Sequence, residues 1–189
     1  MPITLVARLA IRAQRRSRRN APRTSSGGEQ ELRSKYEEIA NRAEELAIRR
    51  MRSAANRLIR QAQRNAPVVT GRLRNSIRIT RQTSSVVRIE ATAEYAKYVE
   101  FGTARFEGRY FMRRAARQVR GLLRGTLRVR SGGQSVSLKW KDIIRIEYSR
   151  STANNPRIDL ILDPVAIDRV VEQVADQAIE NFLANFFRP

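Results

Sequence analysis

The feature that most limits what this chain can fold into is a long helical period brought to a stop. From about Glu29 to Asn65, apolar residues return on one side at Leu32, Tyr36, Ile39, Ala43, Leu46, Ala54, Leu58 and Ala62. At ~1.5 Å of rise per residue the helix is about 55 Å long, more than a domain of this size needs. Glu38 with Arg42, and Glu45 with Arg49, stand at the i, i+4 spacing that supports an exposed face. Pro67 cannot continue the helix and Gly71 permits backbone angles closed to other residues, so the chain turns there. The period then changes. Leu73, Ile77 and Ile79 alternate with Arg74, Ser76, Arg78 and Thr80, which predicts a half-buried strand. After a polar stretch at 81–85 the alternation returns as Val87, Ile89, Ala91 and Ala93, an antiparallel hairpin of open turn type. Tyr95, Tyr98 and Val99 then fall three and four apart, as on one side of a short helical turn ended by Gly102.

Two strings in this stretch, APVVTGRLRNSI (66–77) and YAKYVEFGT (95–103), are specific in combination. The order of long helix, P-x-x-TGRLRNSI, hairpin and YAxYVEFGT resembles the HK97 gp10-like family of tailed-bacteriophage neck and tail-completion (head–tail joining) proteins, over roughly residues 30–120. The residues that carry the resemblance are Pro67, Thr70, Gly71, Arg72, Leu73, Asn75, Ser76, Tyr95, Tyr98, Val99, Glu100, Phe101, Gly102 and Thr103. Two places depart from it: Val69 stands where a short acidic residue often precedes the TGRL element, and Phe111–Ala115 reads FMRRA where F-L-R-P-A is common.

What the resemblance implies is a structural virion protein, not an enzyme. It would form a homo-oligomeric ring, six copies being expected, as neck, tail-completion or tail-terminator component. Its partners would be other copies of itself, the portal, connector or head-closure protein, and the tail-tube protein. It would be found in the virion and, during assembly, in the host cytoplasm. A head-side, capsid-associated joining role differs from this only in location.

Composition narrows the chemistry independently. Cysteine and histidine are absent, which removes disulfides, thiolate nucleophiles, imidazole bases and nearly all transition-metal sites. No apolar run is long enough to cross a bilayer, so no membrane is expected as partner. The glycine pairs at 27–28 and 132–133 lack the lysine and spacing of a phosphate-cradling loop. Ser76 has no histidine to activate it, and Asp142, Asp159 and Asp163 read as ion-pair partners in so basic a chain. Neither a catalytic residue nor a metal or cofactor site is expected. Within the first string, Thr70 and Asn75 are expected to bond local backbone, and Arg72 to pair with a carboxylate such as Glu100.

The formal charge is +20, almost all of it arginine, which directs the chain toward polyanions or acidic protein surfaces. A GC-rich genome loading arginine into solvated positions accounts equally well for the scattered ones. The first 28 residues hold seven arginines and no acid, whereas Asp163–Pro189 holds five acids and two arginines. In a ring, ends of opposite sign would help one copy find the next. Residues 3–13 read as a short helix with an arginine face, and 20–28 as a flexible linker; the same acid-free start also has the pattern of an organelle transit peptide. Residues 1–28 are thus a basic arm, with Arg12, Arg15, Arg16, Arg18 and Arg19 as candidate contacts to double-stranded DNA or an acidic partner.

A second helix is predicted over Phe111–Leu123, with Phe111, Ala115, Val119 and Leu122 inward. Arg113, Arg114, Arg117 and Arg120 crowd its other faces and are further candidates for non-specific phosphate contact. A non-specific DNA-binding protein is therefore the alternative function; no pattern for reading bases is present. The region 29–124 is the expected core. The extension 125–189 reads as a hairpin (Leu127, Val129; Val136, Leu138, Trp140), strands near 143–148 and 158–162, and a helix from Pro164. This piece, hairpin included, either extends the first sheet in the same compact unit or forms a small β subdomain. The fold class is α+β: an antiparallel sheet packed by the long helix, the basic helix and the C-terminal helix.

Overall fold

A computed structural model describes residues 26–149 and 154–186. The arm arginines Arg12, Arg15, Arg16, Arg18 and Arg19 lie outside the described residues, as does the helix expected over residues 3–13. The architecture is the mixed α+β one expected, helices with antiparallel sheet. Helix α1 (Ser26–Asn65) is uninterrupted for 40 residues and stops one residue short of Ala66–Pro67. The i, i+4 pairs that close on it are Glu29–Arg33 and Glu31–Lys35, at 2.8 and 2.6 Å, rather than those of Glu38 and Glu45. Lysine beside it holds the Glu31 carboxyl below its ordinary value. Among the described residues no helix is long and apolar enough to cross a membrane.

The chain packs as two compact units, and the division between them does not follow chain order. Of the described residues, the first holds 26–45, 126–138 and 164–186. In it, strands β5 (Thr126–Ser131) and β6 (Gln134–Lys139) form the predicted hairpin, and helix α6 runs Pro164–Phe186. The Tyr36 hydroxyl donates to Gln134 Oε1 at 3.1 Å and the Ser131 hydroxyl to Glu38, which ties the hairpin to the first half of α1. Ile167, Val171, Ala175 and Ile179 of α6 are buried, and the Phe182 ring lies against Gly28.

The second unit, residues 46–125, 139–149 and 154–163, carries both motif strings. Its four-stranded sheet has the order β1-β2-β8-β7, antiparallel throughout, from strands β1 (Ile77–Gln82), β2 (Val86–Ala91), β7 (Ile144–Tyr148) and β8 (Arg157–Leu162). Strands β7 and β8 extend the first sheet, whereas the hairpin of β5 and β6 is a two-stranded sheet of its own, so the piece after residue 125 follows neither alternative as a whole. The strict period of two turns Val87, Ile89 and Ala91, and Ile158, Leu160 and Leu162, to the buried side.

Two local expectations are corrected. Residues Arg72–Asn75 form a short helix, α2, and the strand begins only at Ile77. Leu73 and Ile77 are four apart, a spacing that the helical period and the alternating period both satisfy. Trp140 does not continue β6 but opens the short helix α5 (Trp140–Ile143), where the Arg50 guanidinium lies 5.6 Å from its ring centre.

Helix α3 (Ala96–Phe101) and a small ribbon of β3 (Gly102–Thr103) and β4 (Phe106–Glu107) lead into helix α4 (Phe111–Arg120), whose last turn tightens to a 3-10 turn over Gly121–Leu123. Helix α4 lies on β7 and β8. The second half of α1 runs beside it, fixed where Arg50 Nη2 donates to Leu122 O at 2.6 Å and Asn65 Nδ2 to Phe111 O at 3.3 Å. The buried positions of that half are mostly small: Ala47, Ala54, Ala55 and Ala62, with Met51 and Leu58 supplying the bulk. Small residues let the backbones approach, while the two large ones contribute most of the apolar area removed from water.

Register also decides the charges on the other face of the sheet. Arg88 is paired with Asp159 across β2 and β8, and its guanidinium donates to both carboxylate oxygens, at 2.8 and 3.2 Å. That carboxylate raises the Arg88 pKa above its ordinary value. Both side chains are mostly covered, at 27% and 14% exposure, so the pair should outweigh an ordinary surface bridge. A double-mutant cycle with Arg88→Ala and Asp159→Ala is expected to give a coupling of about 1 kcal/mol by urea denaturation. A coupling near zero would leave the β2–β8 register to the apolar face alone.

Candidate functional site

The two motif strings become two loops of the same unit, each held from beneath. In the first, Pro67 ends α1 and Gly71 takes the left-handed conformation, φ 79°. The Arg74 Nε then donates to Gln63 O at 3.2 Å, satisfying one of the carbonyls that the end of α1 leaves free. Thr70 Oγ1 accepts the Arg72 N–H at 3.4 Å, a long contact. The side chain that bonds local backbone firmly is not Asn75, as the sequence suggests, but Ser76, whose hydroxyl donates to Leu73 O at 2.7 Å. Ser76 O in turn accepts from Thr92, both N–H and hydroxyl, at 3.1 Å. Beside polar and basic residues, this frame presents two apolar side chains outward: Val68 is 53% exposed and Val69 96%.

In the second string, the buried side of α3 is Ala96 and Glu100, while Tyr95 and Tyr98 turn outward. Val99 and Phe101 are half-buried, Phe101 tilted against the Tyr148 ring at 6.3 Å between centres. Gly102 has φ 86°, and a Cβ there would stand 2.6 Å from Gly108 N and 2.7 Å from Phe106 O. Only glycine lets the returning strand of the ribbon lie so close. The segment ARFEGRY, which lacks any sequence period, is this ribbon: Thr103 pairs with Phe106, and Arg109 N and Tyr110 N donate back to Val99 O and Glu100 O at 2.8 and 3.1 Å.

Glu100 holds the arrangement together. It is the only fully buried charged residue among those described. Its carboxylate accepts the Met112 and Arg113 N–H groups, both at 3.0 Å, and the Tyr148 hydroxyl at 2.6 Å. Met112 and Arg113 stand at the second and third positions of α4, whose N–H groups have no partner within the helix. Tyr110, the residue before the helix, has φ 51° and offers no capping side chain. Glu100 thus caps α4 from eleven residues before its first residue, Phe111, and fixes α3, α4 and β7 to one another. The expected pairing of Arg72 with Glu100 is not what forms; Arg72 is exposed on α2. No local pattern marks the cap, and the one signal that could have found it is the absence of Ser, Thr, Asp or Asn ahead of Phe111.

The predicted arginines of α4 line its outer side. Arg114, Arg117 and Arg120 are exposed and Arg113 half-buried, its guanidinium 5.6 Å from the Tyr110 ring centre. Asp159, one of the three carboxylates read as ion-pair partners, is taken up by Arg88.

A rigid frame that offers exposed apolar side chains and backbone ribbon is the equipment of a protein-contact module. Residues 30–102 match the model of the HK97-gp10-like family, described as "Bacteriophage HK97-gp10, putative tail-component". The matched span takes in both strings as far as Gly102, and the family is one of structural phage tail components. Neither a curated protein nor a solved structure matches the chain.

Two outcomes are expected from the frame. Gly71→Ala has open space for its Cβ and pays only for its backbone angle, about 1 kcal/mol by urea denaturation. Gly102→Ala meets backbone atoms and is expected to cost about 3 kcal/mol or more. Glu100→Ala should cost about 3 kcal/mol, since it strands two helix N–H groups and a phenol, and Glu100→Gln less. Burial, and then the Glu100 carboxylate, raise the Tyr148 pKa well above its ordinary value. The fold therefore holds that proton: its contribution is complete below the ordinary phenol pKa of about 10 and is lost as pH rises beyond it. Thermal melts should show stability falling above about pH 10, less steeply in Tyr148→Phe; burial raises Tyr36 as well, so part of the loss persists. Equal slopes in the two proteins would show that Tyr148 ionises freely.

Proposed function

We propose that this chain is a structural protein of a tailed-phage virion, and that identical copies close into a ring at the head–tail junction, with connector or head-closure protein on one side and tail-tube protein on the other. Six copies are expected. The observation that carries the reading is that the family's two strings lie on the loops where apolar side chains are left in water: Val68, Val69, Tyr95, Tyr98 and Phe106, at 37–96% exposure. Val68 and Val69 are neighbours in the chain, and Tyr95, Tyr98 and Phe106 follow closely on one another, so each loop groups its exposed apolar side chains; such groups mark protein contacts more often than scattered single residues do. Tyrosine with aliphatic neighbours is the composition of an interface core, and the capped frame beneath means that little order has to be created on binding. Association through these loops gives the protein its work: shape and surface, repeated around an axis, with no turnover.

Mass photometry of the purified chain, alone and with connector or tail-tube protein, tests this. A closed oligomer at about six times the 21.7 kDa chain mass is expected, in one condition or both. Val69→Asp and Tyr98→Asp lie on the exposed side and should change stability by less than about 0.5 kcal/mol. They should nevertheless weaken assembly at least about tenfold, which corresponds to ~1.4 kcal/mol. A chain that stays monomeric with both partners, and is missing from finished virions, would overturn the proposal.

A further inference from the structure

Helix α1 changes character at its middle. Up to Glu45 its glutamates outnumber its basic residues, but from Leu46 to Ile89 the chain has no Asp or Glu at all. Within that span Arg57, Arg60 and Arg64 follow one another at spacings of three and four, so they share one face of the helix, and all three are exposed. They line an open groove between α1 and α4 with Gln61 and Gln118, over a floor of Val119 and Leu122. A shallower depression continues past Arg60 and Arg64 to Arg74, whose guanidinium is already anchored at Gln63 O.

No carboxylate lines either part. Like charges at helical neighbour spacing destabilise a helix by a few tenths of a kcal/mol per pair, so this row does not serve the fold. Arg50 of the same half-helix shows the contrast, being taken up by Leu122 O and the Trp140 ring. Three guanidinium groups along about 10 Å of helix match the roughly three phosphates that one DNA strand offers over the same length. The two glutamine amides add neutral donors suited to phosphate oxygens. The groove has no aromatic ring on which bases could stack, and no large apolar anchor of the kind a protein partner needs. The exposed apolar residues of this unit lie on the motif loops instead.

We infer that the α1–α4 groove is a binding site for the phosphate backbone of double-stranded DNA, read without regard to sequence, with Arg57, Arg60 and Arg64 as its core. Arg117 and Arg120 of α4 line a different depression, beside Ile146 and Glu147 of β7, and are not part of this site. The inference does not depend on ring formation.

Fluorescence anisotropy of the full chain with a labelled 30-base-pair duplex of arbitrary sequence, over a salt series, tests it. Binding should weaken steeply with salt and be indifferent to sequence. The variant R57Q/R60Q/R64Q should lower the slope of log K against log salt by about 2 to 3, since each phosphate contact contributes about 0.9. R78Q/R81Q/R128Q, which removes the same charge from exposed positions elsewhere, should leave the slope unchanged. R57K/R60K/R64K should recover most of the binding. Equal loss in the two glutamine triples would reduce the effect to net charge and overturn the site. Polyglutamate bound as tightly as duplex, and lost with the same triple, would assign the groove to an acidic protein. Oligomeric state is read separately by mass photometry. Should the groove triple lose fold or assembly, the single variants decide, each expected to take about one from the slope; no change in any of them overturns the inference.

Discussion

Taking a carboxylate out of water costs several kcal/mol unless its oxygens find donors of good geometry, and Glu100 is placed where such donors are otherwise wasted. The first N–H groups of α4 have no partner in their own helix, and the Tyr148 hydroxyl is covered by the same packing. Each group answers a requirement of the other. The consequence reaches beyond the cap. Because α3 carries the carboxylate, α4 the amides and β7 the phenol, satisfying them fixes three elements that the chain visits far apart. The Gly102 ribbon between α3 and α4 is then stretched between fixed ends, and its tip residues are displayed outward.

The sheet repeats this logic on its polar side. Its apolar face is set by alternation alone, and a slip of two residues would keep that face intact while misplacing every cross-strand charge. The pairing of Arg88 with Asp159, and of Glu90 with Arg157 directly opposite, opposes such a slip. The weakest point of the ladder is β1, where the register shifts between Ile79 and Arg81 and two arginines, Arg81 and Arg88, come opposite one another. The strand beyond that bulge is an edge with charge along it, an arrangement that discourages uncontrolled pairing of sheets.

Much of this was legible because it rests on local periods. The end of α1 at Pro67, both hairpins, α4 and the helix that opens at Pro164 follow from spacing and from single residues with fixed backbone habits. What failed to show were places where two periods coincide or where partners are distant. Leu73 and Ile77 fit helix and strand alike, and only the bond from Ser76 to Leu73 O shows which was taken. Glu100 meets amides twelve residues on and a phenol forty-eight residues on, and nothing near it in the chain announces either. Pairing of β2 with β8 joins segments about seventy residues apart, so the choice between extended sheet and separate subdomain was beyond any local pattern. The groove arginines escape notice for a related reason: Arg57, Arg60 and Arg64 look like ordinary solvated positions until α4 is laid beside them.

Charge that stabilises a fold is normally mixed, since each guanidinium then finds a carboxylate and like charges are kept apart. The first half of α1 follows that rule, with glutamates closing on Arg33 and Lys35. The second half abandons it while keeping the same helix, the same alanine-lined inner face and the same solvent exposure. Composition drift would be expected to load arginine into both halves and would not by itself clear acids from one of them. A chain that leaves its apolar residues on two rigid loops and its unopposed cations along a helix has kept two kinds of contact chemically apart. Water is displaced most cheaply from the first surface, counterions from the second, and the two can be occupied together without either partner competing for the other's ground.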